Sequence, residues 1–204
     1  MRLHLVRHAQ STANVRKVLD TALPGPSLTD LGRQQAEALV AAFDGLEVAA
    51  VYSSYATRAR ETAAPLAASL GFDVRLVEGV HEVQAGDLEG RNDEEAIATY
   101  LAVVHPWTQG DLSGSMPGGE SGAQVRSRYL AAVAELRAKH EEADPAGDIV
   151  LVSHGGAIRL GAEWLCDNVR PEVADNELLA NTARVVLEAR AGGWHCESWA
   201  GAPM

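Results

Sequence analysis

The chain has 204 residues and a mass of 21.6 kDa, with 47% hydrophobic and 22% charged residues. That is ordinary globular composition; it excludes whole-chain disorder, a coiled-coil rod and a collagen-like fibre, and it suits one domain with a core that needs no disulfide or metal staple. The balance of 28 Asp+Glu against 17 Lys+Arg, a formal net charge of −11, argues against a nucleic-acid partner, which requires a basic face.

Residues 3–6 read as a short apolar strand that ends at Arg7-His8. No signal peptide is expected before it, and no apolar run approaches the ~20 residues needed to span a bilayer, so the expected location is the cytoplasm. Pro24, Gly25 and Pro26 mark a surface loop. Thr29 is a candidate N-cap, with Asp30 suited to the helix dipole, and Leu31, Ala38, Leu39, Ala42 and Phe43 follow at helical spacing up to Gly45. Residues 48–52 predict a second strand that leaves at Ser53-Ser54. An alanine-rich helix over 57–70 stops at Gly71.

A third, short strand is expected at 73–77, a loop at 80–90 and a short helix at 93–104 that closes near Pro106. The glycine-rich stretch 109–122 reads as a long mobile loop, of the kind that often forms a lid. The segment 80–122 is therefore expected to be a lid-like insertion over a single 1–204 domain. A long helix follows from Ala123 to about Glu142, then a turn at Asp144-Pro145-Ala146-Gly147. Residues 149–152 form an all-apolar strand of the sort buried in parallel sheets. Ser153-His154-Gly155-Gly156 ends it, a helix is expected over 157–166, and 185–188 and 194–199 pair as a hairpin around Gly192-Gly193. Strands alternating with helices predict an α/β fold, a three-layer α/β/α Rossmann-like core with a mostly parallel sheet.

In such sheets ligands bind outside the carboxyl ends of the strands. The polar residues there are His8, Ser53-Ser54 and His154, with Arg7 and Arg58 beside them. Two histidines and two arginines converging in one place are costly unless an anion neutralises them. A phosphoryl group does so, because arginine forks bind its oxygens and the amides of Gly155-Gly156 at a helix start add to the cradle. The chain is nearly free of lysine, with only Lys17 and Lys139, so arginine supplies the positive charge.

The ordered motifs carry a resemblance to the histidine phosphatase superfamily, the phosphoglycerate mutase-like family. Leu5-Val6-Arg7-His8-Ala9-Gln10-Ser11-Thr12 with Asn14 is similar to its opening signature, and Ser27-Leu28-Thr29-Asp30-Leu31-Gly32-Arg33 resembles its first helix. Tyr52-Ser53-Ser54 with Arg58-Ala59-Arg60-Glu61-Thr62-Ala63 looks like its second arginine motif. Glu82 with Leu88-Glu89-Gly90 resembles its acid-bearing loop, Pro117-Gly118-Gly119-Glu120-Ser121 is a further block, and Val152-Ser153-His154-Gly155-Gly156 resembles the second histidine motif. The resemblance implies that His8 is the phosphorylated nucleophile. It implies that Arg7, Arg58 and His154 bind the phosphoryl group, with Asn14 and Gly155 as further contacts, and that Glu82 is the general acid. It also implies a phosphomonoesterase acting on a small phosphorylated metabolite, with no cofactor and no metal.

Two alternatives stay open: phosphoglycerate mutase-type transfer and a non-catalytic phosphate-binding protein. Mutases of this family are usually longer, with an extra insertion and a tail over the site, so the short end Ala200-Gly201-Ala202-Pro203-Met204 favours hydrolysis. The resemblance places the rest of the substrate near 117–121 and 89–91. Arg91, Arg126 and Arg128 are candidates for a second acidic group. The family commonly has glycine where this chain has Ala9, whose methyl is expected to narrow the pocket slightly.

His4 shares a strand face with His8 at i and i+4, but no third residue stands at metal-ligand spacing. His81 adjoins Glu82 and Trp107 adjoins the long loop, so either is a candidate to shape the substrate end. Cys166 and Cys196 match no metal or redox spacing and are expected to be buried free thiols. Ser53 and Ser153 lack the Gly-x-Ser-x-Gly elbow of a catalytic serine. An exposed strand or the alanine-rich helix is a candidate homodimer surface.

Overall fold

A computed structural model describes residues 1–143 and 147–204. It is a seven-stranded sheet in the order β3-β2-β4-β1-β5-β6-β7, made of β1 (Arg2–Arg7), β2 (Val48–Ser53), β3 (Arg75–Leu76), β4 (Asp148–Ser153), β5 (Arg184–Arg190), β6 (Gly193–Trp199) and β7 (Ala202–Pro203). The first four run parallel, and β5 to β7 extend the sheet antiparallel from β1. The α/β class with a mostly parallel core is as the sequence predicts.

The pleat sorts the apolar residues into two layers. Leu3, Leu5, Ala50, Tyr52, Ile149 and Leu151 face Tyr129, Val133 and Leu136 of α5 (Gly122–Ala143) and Ile158 of α6 (Gly155–Leu165). Val6, Val51, Val150 and Val152 face the other way, against Leu39, Phe43 and the alanines of α3 (Thr57–Ser69). Every residue of β4 is buried. Its unbroken apolar run reflects cover on both faces.

Register places the site. Arg7 pairs with Ser153, and Ser53 pairs with Val152. The next backbone bonds continue the ladder, His8 N to Ser153 O at 3.0 Å and Ser54 N to Val152 O at 3.0 Å. His8, Ser54 and His154 therefore leave the sheet side by side.

Several elements differ from expectation. Ser11 and Asn14 cap each other reciprocally and start a short helix, α1 (Thr12–Arg16). The next helix is split into α2 (Asp30–Ala38), capped by Thr29, and a 3₁₀ turn (Leu39–Phe43) that rolls Leu39 and Phe43 onto the sheet. The third strand is only two residues long. Helix α4 (Glu94–Thr108) continues past Pro106 because burying Trp107 in a satellite core offsets the missing N–H. That core joins Val83, Ala85, Leu88, Ala96, Val104 and Met116 to Val125 of α5 and Leu160 of α6.

Within 109–122, Met116 is buried, the Trp107 indole donates to Gly114 O at 3.0 Å, and Met116 N donates to Glu120 O at 2.9 Å. Helix α7 (Pro171–Asn176), opened by a proline at its first position, and β7 are additions. The hairpin of β5 and β6 pairs as expected, with a bulge between Val186 and Leu187. The turn expected at 144–147 lies, but for Gly147, outside the described residues. No helix among the described residues is long and apolar enough to cross a membrane.

Candidate active site at the carboxyl ends of the central strands

Arg7 and His8 end β1, His154 follows β4, and Arg58 sits in the first turn of α3. The two imidazole rings are 5.3 Å apart between centroids at 61°. Arg58 joins them: its Nε donates to His8 Nε2 at 3.1 Å, and its Nη2 donates to His154 Nδ1 at 3.2 Å and to Asp20 O at 3.1 Å. A guanidinium only donates, so both ring nitrogens facing it are acceptors. The remaining ring protons then have one place each. His8 Nδ1 donates to Ala9 O at 2.7 Å, and His154 Nε2 donates to Ser54 Oγ at 2.7 Å.

Both imidazoles are therefore neutral. Burial, reinforced by the Arg58 charge, pushes His8 down to about 3 and holds His154 well below the ordinary histidine range. The same geometry needs Gly25: at φ +67 its absent side chain would meet Arg58 Nη1 at 2.6 Å.

Arg7 is anchored by a hydrogen bond from Nη1 to Leu179 O, while its buried Nε has no partner. Arg58 Nη1 is likewise buried, with only the Asp20 carboxylate in range at 3.7 Å. Asn14 Oδ1 accepts from Ser11 N at 3.0 Å and from Asn181 Nδ2 at 3.3 Å, which leaves its amide nitrogen without a described acceptor. The Gly155 N–H also donates to no described residue. These donors line or adjoin one crevice of about 320 Å³, together with His8, Glu82, Leu19, Tyr100, Arg159 and Leu179.

Glu82 reaches this crevice from the loop before α4. Its Oε1 accepts from Val83 N at 2.9 Å and Ala157 N at 2.8 Å, and its Oε2 accepts from Gly156 N at 3.1 Å. Two of the first amides of α6 thus hold a carboxylate. This is why the helix begins at Gly155 and not at Ala157, and why the Gly156 amide, unlike that of Gly155, is not open to a ligand. The loop behind Glu82 is fastened by Arg128. That guanidinium donates to both Glu120 oxygens at 2.6 and 2.9 Å and to the carbonyls of Gly79, His81 and Glu82 at 2.7, 2.9 and 3.0 Å.

The predicted His8, Arg7, Arg58, His154, Asn14, Gly155 and Glu82 all come together. The expected outer contacts do not. Arg128 is consumed as described, Arg91 is paired with Asp93 and Glu95 on the surface, and Arg126 does not line the crevice. The 117–121 block packs on the turn at Gly86, with Asp87 N donating to Pro117 O at 2.7 Å. Glu89 is taken by Thr21 N, Thr21 Oγ1 and Ala22 N, at 2.6, 2.6 and 3.1 Å. The Ala9 methyl packs with Leu28 and Ala36, so it does not narrow the crevice.

His4 pairs with Asp148 at 3.1 Å and packs edge-on against Phe43. Among the described residues no group of His, Cys, Asp and Glu could hold a metal ion. Cys166 and Cys196 are buried and free. His81 and Trp107 do not line the crevice.

Sequence reasoning missed the supporting residues. Ser54 orients His154, and Thr62 Oγ1 accepts from Ala9 N at 2.9 Å. Asn181 Nδ2 donates to His8 O at 2.9 Å, Asp20 faces Arg58, and Arg159 and Tyr100 line the crevice. Only Ser54 and Thr62, which lie inside quoted motifs, carried a signal in the sequence.

The model of the histidine phosphatase superfamily (branch 1) matches residues 3–201. Glucosyl-3-phosphoglycerate phosphatase of Mycobacterium tuberculosis is 32% identical over 161 residues, 77% of this chain and 71% of that protein. Phosphoglycerate mutase-like protein 4 of Arabidopsis thaliana is 31% identical over 203 residues, 96% of this chain and 83% of that protein. The PE-PGRS family protein PE_PGRS11 of Mycobacterium tuberculosis is 31% identical over 99% of this chain, which spans 37% of that longer protein. A solved structure of mycobacterial glucosyl-3-phosphoglycerate phosphatase with VO3 superposes with a TM-score of 0.83 at 28% identity, covering 98% of this chain and 99% of the other.

Proposed function

The chain belongs to the histidine phosphatase superfamily, branch 1, and from that premise we propose that it hydrolyses a small phosphorylated metabolite through a phosphohistidine on His8. The observation that carries this reading is the state of His8. Its Nδ1–H is fixed on Ala9 O, so Nε2 holds a lone pair into the crevice at neutral pH.

The phosphoryl oxygens take the unpartnered donors, Arg7 Nε, the Gly155 amide and the Asn14 amide, and draw Arg58 Nε from His8 to themselves. His8 Nε2 attacks phosphorus as the ester P–O bond breaks. The departing alkoxide takes a proton from the Glu82 carboxyl. Three backbone N–H groups hold that carboxyl at the crevice. Water then attacks phosphorus, Glu82 accepts its proton, the P–N bond breaks and phosphate leaves with the His8 lone pair restored.

A panel of phosphomonoesters assayed for phosphate release in chelator tests this, with His8→Ala beside the parent. Release that falls by about 10⁴-fold or more in the variant supports the reading. Isomer interconversion exceeding free phosphate overturns hydrolysis in favour of transfer. Binding without turnover overturns catalysis.

A further inference from the structure

The turn that follows α7 holds the nucleophile from behind. Ala183 N donates to Ala180 O at 3.0 Å, which closes a four-residue turn over 180–183. Thr182, third in that turn, stands at φ +61. Glycine is the usual residue there, because a β-branched side chain crowds its own backbone at positive φ. Such strain persists only where the surrounding contacts over-determine it. They do so here. Thr182 N donates to Arg7 O and Arg7 N donates to Ala183 O, both at 3.0 Å, and the Arg7 guanidinium bonds Leu179 O.

Asn181 stands second in the turn and its φ is not positive, so it holds a position that most residues fit. The backbone does not call for asparagine there; what the side chain reaches does. Its Nδ2 carries two protons and meets two acceptors, His8 O at 2.9 Å and Asn14 Oδ1 at 3.3 Å. Asn14 Oδ1 also accepts from Ser11 N at 3.0 Å. With its oxygen taken twice on the protein side, the Asn14 amide presents its nitrogen as the free donor, and Asn14 lines the crevice. The opposite orientation would set an oxygen lone pair against a phosphoryl oxygen. One side chain thus ties the backbone of the nucleophile to a donor for the phosphoryl group.

We propose that Asn181 is a positioning residue for phosphoryl transfer: it sets which end of the Asn14 amide faces the crevice and pins the main chain of His8. This rests on the phosphatase reading. The probes are vanadate, for affinity, and an aryl phosphate, for kcat/KM. Asn181→Ala removes the donor but leaves Ser11 N to hold Asn14, and is expected to weaken both readouts by about tenfold. Asn181→Asp keeps the shape and puts an oxygen where the donor stood. The Asn14 nitrogen then turns toward that carboxylate and its oxygen toward the crevice, so the expected loss is about 100-fold. In an Asn14→Ala background no amide is left to turn, and the two substitutions are expected to differ by less than about threefold.

A merely structural role predicts the reverse order: Asn181→Ala, which removes more atoms, loses at least as much as Asn181→Asp, in step with the melting temperature. That order overturns the proposal. So does an Asn181→Asp that stays about tenfold worse than Asn181→Ala in the Asn14→Ala background, because its effect is then one of charge alone. Failure of both single variants to fold assigns Asn181 to the fold and overturns the proposal as well. A parent inert toward every phosphomonoester is failure of the phosphatase reading itself, and the order of vanadate affinities still decides this one. A parent that neither hydrolyses nor binds vanadate overturns both.

Discussion

The two ends of the crevice are built by different means. At the phosphoryl end, Arg7, His8 and His154 are consecutive with the ends of two central strands, and parallel register brings them together without help. At the other end, Glu82, Tyr100 and Arg159 come from a loop, an inserted helix and α6; Glu82 is held by the first amides of α6 and by Arg128 behind it, and Arg159 by the carbonyls of α7. The first end is fixed by the sheet and, on the proposed mechanism, serves any phosphomonoester. The second is fixed by side chains captured from remote segments and is where one substrate can be told from another.

The sharpest test of that division compares Arg58→Gln with Glu82→Gln. Arg58 holds both imidazoles and is buried. Its loss is expected to lower kcat/KM by about 10³-fold or more on every substrate alike. On the proposed mechanism Glu82 serves the leaving group, so its replacement is expected to cost about 10²–10³-fold on an alkyl phosphate and under about tenfold on an activated aryl phosphate, whose leaving group needs no proton. Equal losses in Glu82→Gln on both substrates would move proton donation elsewhere and merge the two ends into one.

The same division explains what was legible in the sequence. Strand ends are local features, so His8 and His154 are visible as polar residues that terminate apolar runs, and Arg58 stands just past a third such end at Ser53-Ser54. Glu82 needed a resemblance, because an acid in a loop has no local mark. Partners that act through space had none: Asn181 reaches His8 across 173 residues, and Arg128 reaches the Glu82 loop across 46. The start of α6 was misplaced for that reason, since its cap is the carboxylate of Glu82, 74 residues earlier. Arg128 is a candidate substrate contact in the sequence because its charge is visible there and its five hydrogen bonds are not.

Arg128 therefore offers a smaller, graded test. It does not line the crevice, yet it fastens the backbone of Gly79, His81 and Glu82. Arg128→Gln is expected to lower kcat/KM on alkyl phosphates by about tenfold and to leave an aryl phosphate nearly unchanged, with an unfolding cost of about 1–3 kcal/mol from the orphaned carbonyls and Glu120. A positioning role predicts that the alkyl-to-aryl ratio falls. A purely structural role predicts that both rates fall together with the melting temperature, and that outcome would remove Arg128 from the account of the leaving-group end.

The mildest effect belongs to the phosphoryl end and is read in acid. His8 lies at about 3 in the folded protein, below the 6.5 of an exposed histidine. Between those values the unfolded chain binds the extra proton, so stability is full above about pH 6.5 and declines as pH falls toward 3. At pH 5 the His8 share is about 2 kcal/mol, from 1.36 kcal/mol for each unit below 6.5. His154 and His4 are lowered by burial too, and add in the same direction. Urea unfolding at pH 7 and pH 5 measures the slope, and His8→Asn should flatten it by roughly the His8 share. Vanadate or phosphate seated among Arg7, Asn14 and Gly155 should also flatten it, because an anion beside His8 makes its protonation easier. If the slope is unchanged in His8→Asn, the neutral histidine from which the proposed attack begins is not the state of the folded protein, and the nucleophile must instead shed a proton when substrate arrives.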